Sequence, residues 1–145
     1  MAVDYYLKLD GVQGESTRDG HAGEIDVLSW SWGASQVSTV SGTGGSGAGK
    51  VDCSDFSIMT NSDKGTPKLG KSICAGTHLK TGTLSAIKAG VDGKLYLKVD
   101  FKELFVTSLQ ISASSETPTV SASFSYNEIK IEYSEQKEDV TLTST

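Results

Sequence analysis

The chain has 145 residues, of which 37% are hydrophobic and 21% are charged, and this length fits one compact domain rather than two. Thirteen Lys+Arg residues against 18 Asp+Glu residues give a formal net charge of −5, which is the wrong sign for a protein that neutralises nucleic acid phosphates. No apolar run approaches the roughly 18 residues of a membrane-spanning helix, so we expect neither a nucleic acid partner nor membrane insertion.

Most of the chain shows the alternation of apolar and polar residues that is typical of β-strands. Apolar residues recur at every second position, which is the period of a strand with one buried face. The clearest runs are Tyr5/Leu7/Leu9, Leu28/Trp30/Trp32, Leu95/Leu97/Val99/Phe101, Val120/Ala122/Phe124/Tyr126 and Ile129/Ile131/Tyr133. The alternation slips after Phe101 and after Tyr126, which indicates bulges or short turns that bend strands around a barrel. We therefore predict a mainly β fold.

The stretch EIDVLSWSWG contains both tryptophans of the chain. Strand alternation places Leu28, Trp30 and Trp32 on one face, and it places Ser29 and Ser31, with the preceding isoleucine and valine, on the other. Because a tryptophan side chain can bury about 150–250 Å², we predict that Leu28, Trp30 and Trp32 anchor the core. The two serines then lie on a face that can meet solvent or line a channel.

A glycine-rich stretch, SGTGGSGAG, follows this strand. Low hydrophobicity and high backbone freedom are typical of a mobile loop. Because another predicted strand follows, we expect a long Gly-rich loop at about residues 36–50 inside the same domain, rather than a linker between domains.

One helix is predicted after this loop. Thr66 is a candidate N-cap, Pro67 suits the first helical position, and Gly76 is a stop signal. Leu69 and Ile73 are four residues apart and therefore share one helix face. These signals predict one short α-helix at about residues 66–75.

The start of this helix also matches the phosphate-loop pattern G-x-x-x-x-G-K-[ST], over residues 65–72. In a phosphate loop, this sequence joins a buried strand to a long helix, and its backbone N–H groups cradle phosphates. Here a polar stretch precedes the motif, and Thr66 and Pro67 place the helix start inside it. We therefore predict no nucleotide site.

Candidate catalytic and metal-binding residues are few. The chain has two histidines, His21 and His78, and two cysteines, Cys53 and Cys74, with no CxxC motif and no histidine at metal-ligand spacing. We interpret His21 as a solvated turn residue and both cysteines as small core residues. The sequence predicts no catalytic residue, no metal site and no cofactor, and hence a protein that is not an enzyme.

Five strings of the sequence belong together: MAVDYYLKLDGVQGES at 1–16, EIDVLSWSWG at 24–33, GAGKV at 47–51, DKGTPKL at 63–69 and IKIEY at 129–133. They resemble the haemolysin-coregulated protein (Hcp) family, which forms the inner tube of the bacterial type VI secretion system. These strings occur in the family's order over nearly the whole chain. The middle region, LSAIKAGVDGKLYLKVDFKELFV, is similar to the family only in its alternation.

The resemblance implies a fold and an assembly. The fold is a compact two-sheet β-barrel with one flanking helix, as a single domain over residues 1–145. Family members assemble as six-membered rings that stack into a tube, which a contractile sheath with a spike tip drives into a target cell. The lumen can carry and stabilise small effector proteins. We expect a cytoplasmic protein before assembly that is then secreted without a cleaved signal peptide, because the N-terminus lacks the pattern of one.

The resemblance also implies roles for two groups of residues. We expect Ser29 and Ser31 to face the lumen and contact effectors, since small neutral hydroxyl groups suit a carrier that must release varied cargo. The glycine-rich loop is similar to the family's extended loop, which reaches an adjacent subunit or ring. Its candidate contact residues are Gln36, Thr43, Gly44, Gly45, Ser46, Gly47 and Lys50.

Three other interpretations are open at this point. A tube protein of a phage-tail-like or extracellular contractile injection particle would share the fold and the ring. A free-standing β-sandwich module for binding, for example of sugars, would want exposed aromatic residues on a polar groove, a pattern that neither tryptophan shows. An enzyme is the least supported alternative, since it rests on the phosphate-loop pattern alone.

Overall fold

The computed structural model describes residues 3–36, 51–88, 94–134 and 139–144. These residues form nine strands and one helix. In chain order they are β1 Val3–Leu9, β2 Ile25–Ser31, β3 Ala34–Gln36, β4 Val51–Cys53, β5 Phe56–Asn61, α1 Thr66–Ala75, β6 His78–Lys88, β7 Leu95–Ser112, β8 Thr119–Ser134 and β9 Asp139–Ser144.

Six strands close into an antiparallel barrel. The strand order is β5-β2-β1-β6-β7-β8, and β8 pairs back onto β5. Closure is possible because the first half of β8, from Thr119 to Phe124, pairs with β5, while its second half pairs with β9. The prediction of a mainly β barrel with one short helix is confirmed.

The barrel interior is an aromatic and aliphatic core. Phe56, Phe101 and Phe124 lie at its centre and are each buried almost completely, with the ring centroids of Phe56 and Phe101 4.5 Å apart. Leu7 and Leu84 join them from β1 and β6. Burial of each such side chain stabilises the fold by about 1.5–3 kcal/mol.

Strand β2 carries a bulge that reverses its alternation. The pairing of β2 with β5 shifts register between Val27 and Ser29, so Leu28 is an extra residue in the ladder. Val27 is buried before the shift, and Trp30 packs against the core after it. The prediction that Leu28 anchors the core is wrong, because the bulge leaves its side chain 53% exposed.

Trp30 of β2 and Trp32, which directly follows β2, lie on the opposite side of the barrel wall from Ser29 and Ser31. Trp30 and Trp32 are partly buried and pack against the core, whereas Ser29 and Ser31 are exposed. The predicted separation of these two pairs is therefore present after the bulge, although the residues before it have the opposite orientation.

Helix α1 spans the predicted residues, but its N-cap is different. The N-cap is Gly65, which makes no side-chain capping bond, so the prediction that Thr66 caps the helix is wrong. Thr66 is instead buried in the first turn, where its Oγ1 accepts a hydrogen bond from the Asp63 N–H at 3.2 Å. Gly76 ends the helix in the left-handed conformation, at φ 63°, as predicted from its lack of a Cβ.

Strand β7 is bent at its middle. Glu103 has a φ of 56°, and the ladders to β6 and β8 both pass from Lys102 to Leu104 without pairing it. The Asn127 side-chain amide donates a hydrogen bond to Glu103 Oε2 at 2.7 Å. Leu104 and Phe105, which follow the bend, still pair with β6, whereas the distal half of β7, residues 106–112, pairs with β8 alone.

Candidate functional site

The exposed serines of β2 begin a row that crosses four strands. Ser31 pairs with Ser57 on β5, Ser57 pairs with Ser123 on β8, and Ser123 pairs with Ser108 on distal β7. The hydroxyl groups of Ser57 and Ser123 are hydrogen-bonded, with 3.0 Å between their oxygens. Residues paired across neighbouring antiparallel strands point to the same face, so the four serines share one face of the barrel wall.

A second row runs beside the first. It consists of Ser29, Met59, Ser121 and Gln110, paired in that order across the same four strands. The Met59 side chain is 46% exposed. We call these eight residues the serine face. It holds hydroxyls, one amide and one thioether, and none of its side chains is charged.

The other half of the long β7–β8 hairpin has the opposite chemistry. Lys98 pairs with Glu132, Asp100 with Lys130, and Lys102 with Glu128. Ion pairs join these six side chains at nitrogen–oxygen distances of 2.7 to 3.8 Å. The same two strands therefore carry charged side chains outside the serine face and none within it.

Neutral hydroxyl groups give the serine face a defined capacity. Each hydroxyl can donate one hydrogen bond and accept others, so the face can meet donors and acceptors alike. It carries no charge that would hold or repel a charged surface strongly. The arrangement suits weak contact with varied proteins. The face does not combine a nucleophile with a base and a group that orients the base, which is the arrangement that nucleophilic catalysis needs.

Only the β2 part of this face, Ser29 and Ser31, was predicted from the sequence. Ser57, Ser108, Ser121, Ser123, Met59 and Gln110 were missed. A signal was present, because serines alternate with buried apolar residues in TVSASFS, and burial has the same period of two in FSIMTN. The sequence does not say which strands are neighbours, so those runs could not be joined to β2.

The strands β3 and β4 form a separate two-stranded sheet, and β3 begins three residues after Ser31 of this face. We call this hairpin the arm. Gln36, a predicted contact residue, ends β3 and pairs with Val51. The other predicted contact residues, Thr43, Gly44, Gly45, Ser46, Gly47 and Lys50, lie outside the described residues, so the loop and its role stay predictions.

A hydrogen-bond cluster holds the base of the arm. The Ser54 hydroxyl accepts from the Gly33 N–H and donates to the Gly33 carbonyl, both at 2.8 Å. The Tyr126 hydroxyl, from the barrel, donates to the Ser54 carbonyl at 3.0 Å and accepts from Trp32 Nε1. Burial raises the pKa of the Tyr126 phenol, although the hydrogen bond from Trp32 lowers this pKa in part. The cluster ties the arm to β8.

The phosphate-loop motif is part of helix α1. All of its residues after Gly65 are helical, so their backbone N–H groups cannot converge on a phosphate. The Ser72 hydroxyl is buried and donates to the Lys68 carbonyl at 2.9 Å. The structure therefore agrees with the sequence argument against a nucleotide site.

The histidines and cysteines form no constellation in the described residues. His21 lies in a turn, as predicted, where its N–H donates to the Arg18 carbonyl, but its side chain is only 20% exposed: its Nδ1 lies 3.0 Å from Glu24, and its ring stacks on Tyr6 with centroids 5.1 Å apart. Cys53 is half-buried, and Cys74 is exposed, so the core interpretation of Cys74 is wrong. No group of three His, Cys, Asp or Glu in the described segments could hold a metal ion.

Comparisons with known proteins agree on one family. The family model described as "Type VI secretion system effector, Hcp" matches residues 6–133. Protein hcp1 of Pseudomonas aeruginosa is 38% identical over 142 residues, which cover 96% of this chain and 88% of that protein. The chain belongs to the Hcp family.

Solved structures of Hcp proteins share the fold. The crystal structure of Hcp1 from Salmonella typhimurium has a TM-score of 0.83 at 29% identity, covering 99% of this chain and 94% of that one. A structure of a type six secretion system protein has a TM-score of 0.87 at 31% identity, covering 96% and 92%. Hcp is a family of structural, secreted tube proteins, so this chain is not an enzyme. In the described residues, no helix has the length and apolarity to cross a membrane.

Proposed function

We propose that this Hcp-family chain forms six-membered rings that stack into the inner tube of a type VI secretion apparatus. The serine face lines the lumen of the ring and contacts small effector proteins. The observation that carries this proposal is the continuous neutral face that runs from Ser31 on β2 to Ser108 on distal β7.

A neutral lumen suits transport. A carrier must hold its cargo while the tube is assembled and release it afterwards, so many weak contacts serve better than a few strong ones. Hydroxyl groups offer such contacts, and Met59 adds one adaptable apolar side chain to the face.

Two strands of the chain have an edge that could pair with a neighbouring subunit, which supports the closure of a ring. The distal half of β7 pairs only with β8 among the described strands, and β9 likewise pairs only with β8. Unpaired strand edges are a hazard for aggregation. A closed ring of identical subunits can cover such edges by heterologous contacts.

The arm reaches an adjacent subunit or ring in this proposal. The residues beyond Gln36, including Thr43, Gly44 and Lys50, provide the contact. The ring stack is surrounded by the contractile sheath and carries the spike tip. The protein is made in the cytoplasm and leaves the cell without a cleaved signal peptide.

The native mass of the purified protein tests the ring. We expect a species of about 92 kDa, six times the 15.3 kDa of one chain, by native mass spectrometry at micromolar concentration. A closed cyclic interface should give this species without a ladder of intermediate masses. A protein that stays at 15.3 kDa at high concentration would contradict the proposal.

A further inference from the structure

Positive charge is concentrated in one part of this acidic chain. Residues 64–91 contain five lysines and no Asp or Glu. Because the whole chain has a formal charge of −5 and this segment has +5, the rest of the chain carries −10. The segment contains helix α1 and strand β6.

Three of these lysines are exposed at or just before the helix. Lys68 and Lys71 are three residues apart in α1, the spacing of neighbours on one helix face, and Lys64 lies in the turn that precedes the N-cap Gly65. We call these three lysines the lysine face. Leu69 and Ser72 are buried on the opposite side. None of the ion pairs among the described residues involves a residue of the lysine face.

The lysines do not serve the helix itself. Lys68 is in the first turn, where the partial positive charge of the helix dipole disfavours cations. The first turn has no acidic residue and the last turn has no basic one. Lys68 and Lys71 also repel each other across one turn. The lysines therefore do not stabilise the isolated helix, and their ammonium groups are exposed and available to a partner outside the chain.

The lysine face points away from the serine face. Helix α1 packs on distal β7, where Leu109 lies 3.6 Å from the position of a Cβ on Gly70. Ser108 and Gln110, the neighbours of Leu109 in sequence, are exposed on the serine face, and side chains alternate between the two faces of a strand. The helix and the serine face therefore lie on opposite sides of β7.

We propose that the lysine face is the docking surface for a carboxylate-rich partner that surrounds the ring. This inference rests on the proposed function, in which the serine face lines the lumen and α1 consequently faces outward. The partner in that position is the inner wall of the contractile sheath. Lysine ammonium groups on a flat helix face would pair with Asp and Glu side chains, which makes the contact dependent on salt.

Charge reversal tests this docking surface. In the variant Lys68→Glu/Lys71→Glu, carboxylates replace both ammonium groups, and at residue 68, in the first turn, the helix dipole favours the new charge. The variant should therefore fold and form rings like the wild type. We expect its co-sedimentation with assembled sheath from the same organism to fall by about tenfold at low salt, and that of the wild type to fall as salt is added.

Two control variants separate docking from general charge. Lys8→Glu/Lys94→Glu makes the same change in net charge at two exposed lysines outside the helix, and it should sediment with the sheath like the wild type. Lys68→Arg/Lys71→Arg keeps the charge and should do the same. Rings of Lys68→Glu/Lys71→Glu that sediment like wild-type rings would overturn the docking surface alone. A wild-type chain that forms no ring would overturn the proposed function and this inference with it.

Discussion

Glu103 is the only described residue other than glycine with a positive φ. This left-handed conformation brings the Cβ of an L-residue close to the backbone and costs roughly 1–2 kcal/mol. The hydrogen bond from Asn127 accompanies it. The ladders of β7 with β6 and with β8 are both interrupted at this one strained residue.

Substitution at this position should depend on the shape of the new side chain. Glu103→Val should lower the free energy of unfolding by about 1–2 kcal/mol relative to Glu103→Asn, because asparagine tolerates a positive φ and a β-branched residue does not. Both variants replace the Glu103 carboxylate that accepts from Asn127, so the difference between them reports on the backbone. Urea unfolding measures it. Equal stability of the two variants would contradict the strain.

The arm is the element whose attachment depends most on side chains. An isolated two-stranded hairpin is marginally stable in water, and the β3–β4 pair makes no ladder with the barrel strands that the structure describes. Its base is held by the Ser54 and Gly33 bonds and by Tyr126 from β8. The Tyr126 hydroxyl therefore sets how firmly the arm is oriented.

Removal of that hydroxyl should loosen the arm. We expect Tyr126→Phe to lower stability by about 1 kcal/mol, the net value of a typical hydrogen bond, and to speed amide hydrogen exchange in residues 33–36 and 51–54. Tyr133→Phe, at an exposed tyrosine of the same strand, is the matched control and should leave exchange there unchanged. Identical exchange in both variants would show that the phenol does not hold the arm.

Elements also differ in how far sequence could predict them. Helix α1 was predicted at residues 66–75 because Pro67 and Gly76 act locally on the backbone. The N-cap was predicted one residue too late, at Thr66 instead of Gly65. The sequence around Thr66 does not distinguish a threonine that caps the helix from one that is buried in its first turn. The bulge at Leu28 could not be predicted, because it depends on the register with β5, and a register shift leaves the apolar pattern of β2 itself unchanged.

At the scale of the whole molecule, the barrel separates two kinds of surface. The serine face and the lysine face lie on opposite sides of distal β7, one neutral and one cationic. The chemistry of each was visible in the sequence as serine alternation or as lysines without carboxylates. The sequence did not show that the two faces lie on opposite sides of β7. Their placement depends on the packing of Leu109 against Gly70 and on the closure of β8 onto β5.

A charge placed on the serine face should affect cargo without affecting the ring. We expect Ser121→Arg to keep the ring mass while the steady-state amount of a co-expressed small effector falls several-fold, since a buried guanidinium without a partner is unfavourable in a filled lumen. Ser114→Arg, at an exposed serine outside the face, is the control. Unchanged effector levels in Ser121→Arg, measured by quantitative immunoblot, would contradict the assignment of the lumen.

The neutrality of the serine face has a consequence for unloading. None of its eight side chains titrates near physiological pH, so acidification in a recipient compartment would leave the charge of this face unchanged. A change in ionic strength would do little either, because there is no charge to screen. In the proposed tube, delivery would therefore follow from dilution and from the separation of the rings, and it would proceed equally well in any compartment that the tube reaches.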